Sequence, residues 1–257
     1  MPELPPFRPV SLEEMDSVSL LNRIDSKYLT DERTLEGILA DAQRCGYRAL
    51  VADGEMISHY DTIYYDTPGH QMFLDHRNQR LVRQKVRTRE YLASGRTFLE
   101  IKRKNNHGRT KKKRTEIPPA VFRTFPEDIV ACAYLACHSD FDAGNLTPAL
   151  ETRFRRITLV NEEMTERLTI DTQVSFSNLR NGREASLKNG VVIELKQDGR
   201  TQSRMKGILL DHRVKPVRVS KYCIGITLTD PEIPAGRFKE KLRLIEKQIK
   251  DTLYDRT

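Results

Sequence analysis

The chain has 257 residues, 38% of them hydrophobic and 31% charged, which disfavours a disordered protein and, with no long apolar run, a membrane-spanning one. Lys and Arg outnumber Asp and Glu by 44 to 36, and the formal net charge of +8 favours polyanionic partners such as phosphates, nucleic acid or an anionic membrane surface. The N-terminus lacks the pattern of a signal peptide, and the four cysteines form no CxxC motif. We therefore expect a cytoplasmic protein with reduced thiols and a single domain over residues 1–257.

The first part of the chain is predicted to contain one helix and then a run of strands. Residues 1–10 are Pro-rich and are expected to be irregular. Apolar residues at helical spacing predict an amphipathic helix over 30–44. Aromatic and β-branched residues predict a strand over 56–66, which the turn sequence DTPG ends. Alternating patterns over 81–91 and 97–104, joined by a short Ala-Ser-Gly turn, predict a β-hairpin.

The later part of the chain returns to strands after an excursion. A basic run over 109–114 follows the hairpin, and 119–145 is expected to be helical or irregular. Three further strands are predicted, at 149–160, 167–176 and 191–196. A short helix is predicted over 202–212 and an amphipathic one over 235–253, whose apolar stripe consists of Phe238, Leu242, Ile245, Ile249 and Leu253. Some eight strands at hairpin spacing indicate an α+β fold, with an antiparallel sheet closed into a barrel and the helices packed outside.

Charged residues alternate along several of these strands. Alternate side chains of a strand share a face, so RQKVRTREY (83–91) places four cations on one side. FLEIKRK (98–104) and VVIELKQ (191–197) place a carboxylate among cations and an apolar row on the opposite side. Such faces can simply meet solvent, as in ordinary antiparallel sheets. Like charges opposite one another destabilise a sheet, however, so an inward-facing arrangement completed by a polyphosphate anion and its divalent metal is the alternative.

Six short motifs occur in the order seen in a known family. They are NRIDSKY (22–28), YYDTPG (64–69), KVRTREY (85–91), FLEIKRK (98–104), VIELKQ (192–197) and SKY (220–222). Together they resemble the VTC domain, the polyphosphate polymerase domain of the vacuolar transporter chaperone family among the triphosphate tunnel metalloenzymes, over about residues 20–228. The resemblance implies an antiparallel β-barrel tunnel that transfers the γ-phosphoryl group of ATP to a growing polyphosphate chain. It also implies Mn²⁺ or Mg²⁺ as cofactor and ATP with polyphosphate or pyrophosphate as ligands.

The resemblance also implies roles for single residues. Catalytic contacts to the phosphates would come from Lys27, Arg87, Arg89, Lys102 and Lys221. A further phosphate contact would come from Arg156, with its neighbours Arg153 and Arg155 as the alternatives, and another from a residue among Lys111, Lys113 and Arg114. The charged strand faces add Arg83, Lys85, Lys104 and Lys196 as candidates, of which Arg83 and Lys196 would either line a tunnel mouth or only meet solvent. Glu194 would bind the metal, since one carboxylate with phosphate oxygens and water suffices for Mg²⁺ or Mn²⁺. Glu100 is either a second metal ligand or the partner of a neighbouring arginine.

Several of these residues also have a purely structural interpretation. Lys27 judged alone would be an ordinary exposed lysine, and Glu194 would pair with an arginine across the sheet. Asp171 and Arg167 are candidates for an ion pair inside the tunnel. Tyr64 is expected to pack in the core rather than stack on adenine.

Three functions are consistent with the sequence. The first is the polymerase. The second is a tunnel triphosphatase that hydrolyses tripolyphosphate or organic triphosphates, but its relatives resemble an ExExK pattern where this chain has NRIDSKY. The third is a non-catalytic module that binds polyphosphate or inositol phosphates. Nucleic acid is disfavoured, because the basic strands over 81–114 offer only Tyr91 and Phe98 for base stacking.

The amphipathic helix over 235–253 leaves two possibilities open. It is expected either to cap the tunnel or to dock on a partner, such as a membrane protein that carries product away. The second possibility would place this cytoplasmic protein at the inner membrane through that partner.

Overall fold

Strands dominate the protein, and eleven of them belong to one sheet. The structure is a computed structural model that describes residues 4–16, 23–251 and 253; Asn22, the first residue of NRIDSKY, lies outside the described residues. The strands are β1 (Arg8–Val10), β2 (Arg23–Asp31), β3 (Arg48–Leu50), β4 (Ile57–Asp66), β5 (Arg83–Tyr91), β6 (Arg96–Lys104), β7 (Thr110–Ile117), β8 (Thr147–Val160), β9 (Glu166–Asn178), β10 (Glu184–Ser186) and β11 (Gly190–Asp198). The α-helices are α1 (Leu12–Asp16), α2 (Glu32–Arg44), α3 (Gln71–Arg77), α4 (Ile129–His138), α5 (Arg204–Asp211), α6 (Lys221–Thr229) and α7 (Gly236–Ile249).

The longer strands follow one another in the order β2-β11-β9-β8-β4-β5-β6-β7, and every neighbouring pair is antiparallel. The predicted α+β class and antiparallel sheet are therefore confirmed. The predicted closure into a barrel is not shown, because no hydrogen-bonded pair joins β2 to β7 within the described part of the chain. Strand β7 has a physical reason to stay unpaired at its free edge. It carries four consecutive exposed cations, at 111–114, and charged side chains on an edge strand discourage further pairing.

The sheet is nevertheless strongly curled. Lys102 on β6 and Glu194 on β11 are five steps apart in the strand order, which would be about 24 Å in a flat sheet. The short segment over 217–220 nevertheless touches both sides of the sheet: the Val217 N–H donates to the Lys27 carbonyl of β2 at 2.7 Å, and Lys85 of β5 donates to the Ser220 hydroxyl at 2.8 Å. The Glu194 carboxylate also acts on the pKa of Lys102. These charges must therefore face one another across a concave surface, which we call the inner face.

Apolar residues cover the opposite, outer face of the sheet, as the alternation predicts. Helices α2 and α5 pack there on β9 and β11, where Leu35, Met205 and Ile193 belong to one buried cluster. The segment over 119–146, which contains α4, covers β5 and β6 in the same way, and Leu135 and Leu99 meet in a second cluster. The charged residues of these strands are thereby left on the inner face.

The last two helices pack on the inner face, so the prediction that all helices lie outside is wrong for α6 and α7. Gly225 of α6 lies so close to Leu150 and Phe176 that an added Cβ would stand 2.5 Å from each side chain. The predicted apolar stripe of α7 is buried in the same cluster, which also includes Leu29 and Val192 of the inner face. The apolar stripe of α7 therefore covers part of the inner face and is not free to dock on a partner. None of the described helices is both long enough and apolar enough to cross a membrane.

The predicted boundaries hold for most elements, with three differences. Residues 8–10 form the short strand β1 instead of irregular chain. The predicted helix over 30–44 begins at Glu32, because Asp31 ends β2 and caps the helix by accepting the backbone N–H of Thr34 at 2.9 Å. Strands β2, β3 and β10 and helices α1, α3 and α6 were not predicted as elements.

Candidate functional site

Strands β5 and β6 bring a buried ion pair to the inner face. Arg87 lies opposite Glu100 in the strand register, and its Nε and Nη2 donate to Glu100 Oε2 at 2.7 and 2.5 Å. Lys112 of β7 contacts the other carboxylate oxygen, Oε1. Burial acts to raise the pKa of the fully buried Glu100, but Arg87, Arg89 and Lys112 outweigh it and hold this pKa well below its usual range. Glu100 is therefore ionised and enclosed by cations, which agrees with the ion-pair interpretation of this residue.

The register of β7 separates the basic residues of the third strand. Lys112 and Arg114 lie on the inner face, whereas Lys111 and Lys113 lie on the outer face and are exposed. The Arg114 guanidinium carbon stands 5.0 Å from the centre of the Phe98 ring. Lys112 is thus an inner-face residue that the sequence analysis missed, because a run of like charges gives no sign of which members face inward.

Strands β2 and β11 contribute the carboxylate predicted to bind metal. Lys27 lies opposite Glu194 and contacts its Oε2, and Lys196 Nζ stands 3.6 Å from Oε1. Burial acts to raise the pKa of Glu194, but Lys27 and Lys196 outweigh it and hold this pKa well below its usual range. The Glu194 side chain is 26% exposed while that of Glu100 is completely buried, so Glu194 can reach a ligand and Glu100 cannot.

A divalent metal fits this carboxylate only if the substrate completes its coordination. Among the described residues, no group of three or more His, Cys, Asp or Glu side chains could hold a metal ion. Mg²⁺ and Mn²⁺ are commonly held by one or two carboxylates together with phosphate oxygens and water. Glu194 fits that arrangement, with Lys27 and Lys196 beside it to balance the anionic ligand.

Strand β9 contributes a third inner carboxylate, Asp171. Arg156 of β8 donates to it through Nε at 2.6 Å and Nη2 at 2.8 Å, and Lys221, the first residue of α6, contacts Oδ2. The suggested pairing of Asp171 with Arg167 is wrong, since Asp171 pairs with Arg156 and Lys221, and Arg167 lies four residues away along β9. Burial acts to raise the pKa of Asp171, but Arg156 and Lys221 outweigh it and lower this pKa.

The position of Arg156 on β8 resolves a choice between neighbouring arginines. Arg153 faces outward, where it donates to Asp61 at 3.2 Å, and Arg155 shares that side. Arg156 and Phe154 face inward, and the Arg156 guanidinium carbon stands 5.2 Å from the centre of the Phe154 ring. The side chain that reaches the charged cluster is therefore that of Arg156.

Three buried or half-buried cations of the cluster have no carboxylate partner within the described residues. Within residues 4–16, 23–251 and 253, Lys85 donates only to the Ser220 hydroxyl, at 2.8 Å, and Arg89 only to the Thr62 hydroxyl, at 3.1 Å. Lys102 makes no hydrogen bond or ion pair with any described residue. Burial lowers the pKa of Lys85, and burial followed by Arg87 lowers that of Arg89. Arg87 and burial hold the pKa of the Lys102 amine well below its usual range.

Tyr64 belongs to the cluster as well as to the core. Its ring stacks on Tyr222 at 5.1 Å between centroids, as the core interpretation predicts. Its hydroxyl, however, accepts a hydrogen bond of 3.1 Å from Arg87 Nη1. Burial acts to raise the pKa of Tyr64, but Arg87, Arg89 and other cations outweigh it and lower this pKa to about 8. The alternation of β4 predicts that Tyr64 faces inward, since it lies two residues from Thr62 and therefore on the same face of the strand.

Asp66 explains how the strands hold the start of α6 in place. The Tyr222 hydroxyl donates to Asp66 Oδ2 at 2.5 Å, and the same carboxylate accepts the backbone N–H groups of Met72 and Phe73 at 2.9 and 3.0 Å. Ser220 caps α6 by accepting the N–H of Cys223. These bonds join the YYDTPG and SKY segments and set Lys221 beside Asp171.

Arg83 and Lys104 continue the inner row beyond Lys85 and Lys102. They lie opposite each other in the β5–β6 register, at the end of the strands farthest from the hairpin turn. The four cations of RQKVRTREY thus form a row along the whole inner side of β5.

Comparisons with known proteins bear on the family and the fold. The family model described as the VTC domain matches residues 22–229. A suggested adenylyl cyclase from Hippeastrum, described as having a dominant triphosphatase activity, is similar in structure, with a TM-score of 0.54 and 15% identity over 83% of this chain and 99% of that chain. A suggested adenylate cyclase from Vibrio parahaemolyticus gives a TM-score of 0.47 and 11% identity over 79% of this chain and 97% of that chain. No curated protein matches the chain significantly. The Hippeastrum likeness supports the fold alone.

Proposed function

Because this chain belongs to the VTC domain family, whose model matches most of its length, we propose that it is a polyphosphate polymerase that transfers the γ-phosphoryl group of ATP onto a growing polyphosphate chain. The observation that carries the proposal is the set of three cations without a carboxylate partner, Lys85, Arg89 and Lys102. Cations held this close together repel one another and lose hydration, and a bound polyanion relieves both costs.

The proposed phosphate contacts follow the placement of the side chains. The residues that would touch the reacting phosphates are Lys27, Arg87, Arg89, Lys102 and Lys221. The residues that would hold neighbouring phosphates are Lys85, Lys112, Arg114, Arg156 and Lys196. We leave out Lys111 and Lys113, because they face outward. Each guanidinium can grip two phosphate oxygens, whereas each ammonium acts as a point charge.

Phosphoryl transfer asks little covalent chemistry of the protein. It needs the attacking and leaving oxygens in line and positive charge on the oxygens of the transferred group. Arg87 is fixed by Glu100, so it presents its remaining N–H groups in a set orientation. A Mg²⁺ or Mn²⁺ ion on Glu194 would add charge that neutralises the phosphate oxygens. Binding of the anion would raise the pKa of Lys102 and so favour the charged form of this amine.

The acceptor distinguishes the polymerase from its main alternative. A terminal phosphate is already an anion and needs no general base, whereas hydrolysis requires a group that takes a proton from water. Burial and then Arg87 lower the pKa of Lys112 to about 8, which makes Lys112 the residue that favours the triphosphatase alternative. A non-catalytic polyphosphate module would use the same cations and would give the partly exposed Glu194 carboxylate only the structural role of pairing with Lys27 and Lys196.

One assay separates the three functions. Purified protein is incubated with ATP and Mn²⁺, and the products are resolved by gel electrophoresis and phosphorus NMR. A ladder of polyphosphate with ADP supports the polymerase. Release of orthophosphate without chains supports the triphosphatase. Tight polyphosphate binding without turnover supports the module and overturns both enzymes.

A further inference from the structure

A second set of cations lies at one end of the inner face. Arg83 and Lys104 face each other there in the β5–β6 register, two residues beyond Lys85 and Lys102 and on the same side of their strands. Arg218 precedes by two residues Ser220, whose hydroxyl accepts a hydrogen bond of 2.8 Å from Lys85, and Lys241 Nζ stands 5.4 Å from the centre of the Phe238 ring. Arg218 also acts on the pKa of Lys104 and of Lys241. We call Arg83, Lys104, Arg218 and Lys241 the terminal cations.

Helices α3 and α7 bring further charge to the same place. The rings of Phe73 and Phe238 stack with centroids 5.6 Å apart, which fixes α7 against α3. His76 and Lys241 each follow those rings by three residues, so they lie one helical turn further along the contacting sides. Burial, then Lys85, Arg83 and Lys241, lower the pKa of His76. His76 is therefore an uncharged neighbour of the terminal cations and does not balance their charge.

No carboxylate of the described residues pairs with the terminal cations. Arg83 Nη1 donates to the backbone carbonyl of Arg80 at 2.6 Å, and none of the four terminal cations forms an ion pair with a described residue. Arg83, then burial and Arg218, lower the pKa of Lys104. The central cluster is different, since Glu100, Asp171 and Glu194 stand among its cations.

The distance between the two sets decides what the terminal cations can bind. Four residues separate Arg87 from Arg83 along β5, which corresponds to about 13 Å. A triphosphate held at Arg87 and Arg89 therefore does not extend to Arg83. The opposite end of the inner face, at the hairpin turn, carries Tyr91 and Phe98 in edge contact, 5.5 Å between centroids. An uncharged nucleoside is compatible with that aromatic end, whereas only an anion gains from the terminal cations.

We propose that the terminal cations form a second anion site, which holds phosphates of a polyphosphate chain too long for the central cluster. The site gives the chain a direction: the nucleoside end of the donor lies toward the hairpin turn and the polyphosphate extends past Arg83 and α7. This inference rests on the proposed function in one respect, that polyphosphate is a ligand of the protein. It goes beyond that function by assigning a separate site, with Arg218 and Lys241 as members; Lys241 lies outside the segment that the family model matches.

The test compares chain lengths in the absence of nucleotide and metal. The double variant Arg218→Ala and Lys241→Ala is titrated with tripolyphosphate and with polyphosphate of several tens of units, using calorimetry on the full chain. Its affinity for the long chain should fall about tenfold or more, and the salt dependence of log K should decrease by about one for each lost contact. Its affinity for tripolyphosphate should stay within about twofold of the unmodified protein. Equal losses for both lengths, or no loss for the long chain, would overturn the second site.

A matched control removes the same charge elsewhere on α7. Arg243 and Lys247 are exposed, so the double variant Arg243→Ala and Lys247→Ala should bind both anions as the unmodified protein does. Single variants Arg218→Gln and Lys241→Gln keep the test valid if the double variant folds poorly, and each should give part of the long-chain loss. The two proposals fail differently. If neither anion binds the unmodified protein, the proposed function fails; if both bind and the terminal variants change neither, only the second site fails.

Discussion

The two faces of the sheet carry charged groups of opposite character. On the outer face, Arg153 donates to Asp61 at 3.2 Å and to Glu151 at 3.1 Å, and Arg123 also contacts Glu151. These are two cations and two carboxylates, and the set is balanced within the protein. On the inner face the cations outnumber the carboxylates, and Lys102 has no partner among the described residues. The outer set is thus complete as folded, while the inner set requires a ligand to complete it.

This difference teaches which charges serve structure and which serve binding. Burying an ion costs desolvation, and only a close partner offsets that cost. The inner face accepts an unfavourable arrangement that apolar side chains would relieve. Residues that lower stability in the free protein are typical of functional sites. Removal of single charges from each face tests whether the inner and outer sets differ in this way.

Arg87→Ala should have the largest effect on folding. It leaves the fully buried Glu100 with Lys112 as its remaining contact, and breaking a buried pair costs about 3–5 kcal/mol. Urea unfolding monitored by circular dichroism measures this change. Lys102→Met is the matched contrast, since it removes a cation without a partner and should stabilise the empty protein by about 1 kcal/mol. Equal destabilisation by both variants would contradict the difference between paired and unpaired inner cations.

Glu194→Ala should lower turnover by at least about a hundredfold, or roughly 3 kcal/mol, because the divalent metal loses its protein ligand. Binding of tripolyphosphate should persist, since the cations remain. Phosphorus NMR of the products and calorimetry measure the two quantities. Glu162→Ala is the control, because Glu162 forms only an exposed pair with Arg8 at 3.1 Å. Full activity of Glu194→Ala would show that the metal assignment is wrong.

Polyanions should stabilise the protein by completing the inner face. At a concentration one hundred times the dissociation constant, a ligand adds about 2.7 kcal/mol. For a chain of this size that corresponds to a rise in Tm of roughly 5–10 °C. Differential scanning fluorimetry with tripolyphosphate, pyrophosphate, phosphate and sulfate measures it, and sodium chloride at equal ionic strength is the control. A flat response to all four anions would contradict an inner face that binds phosphates.

The smallest effect is expected on the outer face, from Asp61→Asn. Burial and then Glu151 raise the pKa of Asp61 to about 6, so the folded protein holds a proton that the unfolded chain releases near pH 4. The stability from this proton is present below pH 4 and is lost as the pH rises through 6. Asn cannot ionise, so the unfolding free energy of the variant relative to the unmodified protein should rise by about 1–2 kcal/mol between pH 4 and 6. Urea unfolding at both pH values tests this. An equal difference in unfolding free energy between the two proteins at pH 4 and pH 6 would contradict the proton on Asp61.

The sequence predicts the inner residues of β5, β6 and β11 because strand alternation follows directly from backbone geometry. Arg87, Glu100, Lys102 and Glu194 all lie where a period of two places them. The same rule fails over 111–114, where four cations in succession have no period and only pairing with β6 decides which face each takes.

Tertiary contacts account for the elements that local patterns miss. Strand β2 is mostly polar, and its alternation gives little sign of a buried side apart from Tyr28. Helix α6 is rich in β-branched residues, which are typical of strands. Its helical form depends on the Ser220 cap and on the close fit of Gly225 against Leu150 and Phe176. The open edges of β2 and β7 depend on sheet curvature, which the motifs do not encode.

Helix α6, which the bond between Tyr222 and Asp66 attaches to the sheet, has a consequence for how the protein is made. Lys221 follows every strand of the sheet in sequence, so a nascent chain emerging from the ribosome can form the sheet before α6 exists. At that stage Asp171 has Arg156 as a partner but lacks Lys221, and Lys85 lacks Ser220. Leu150 and Phe176 are also still uncovered. Synthesis of α6 therefore completes the charged cluster and covers Leu150 and Phe176 in one docking step, so the newly made protein gains its candidate catalytic centre only when this apolar surface is also shielded.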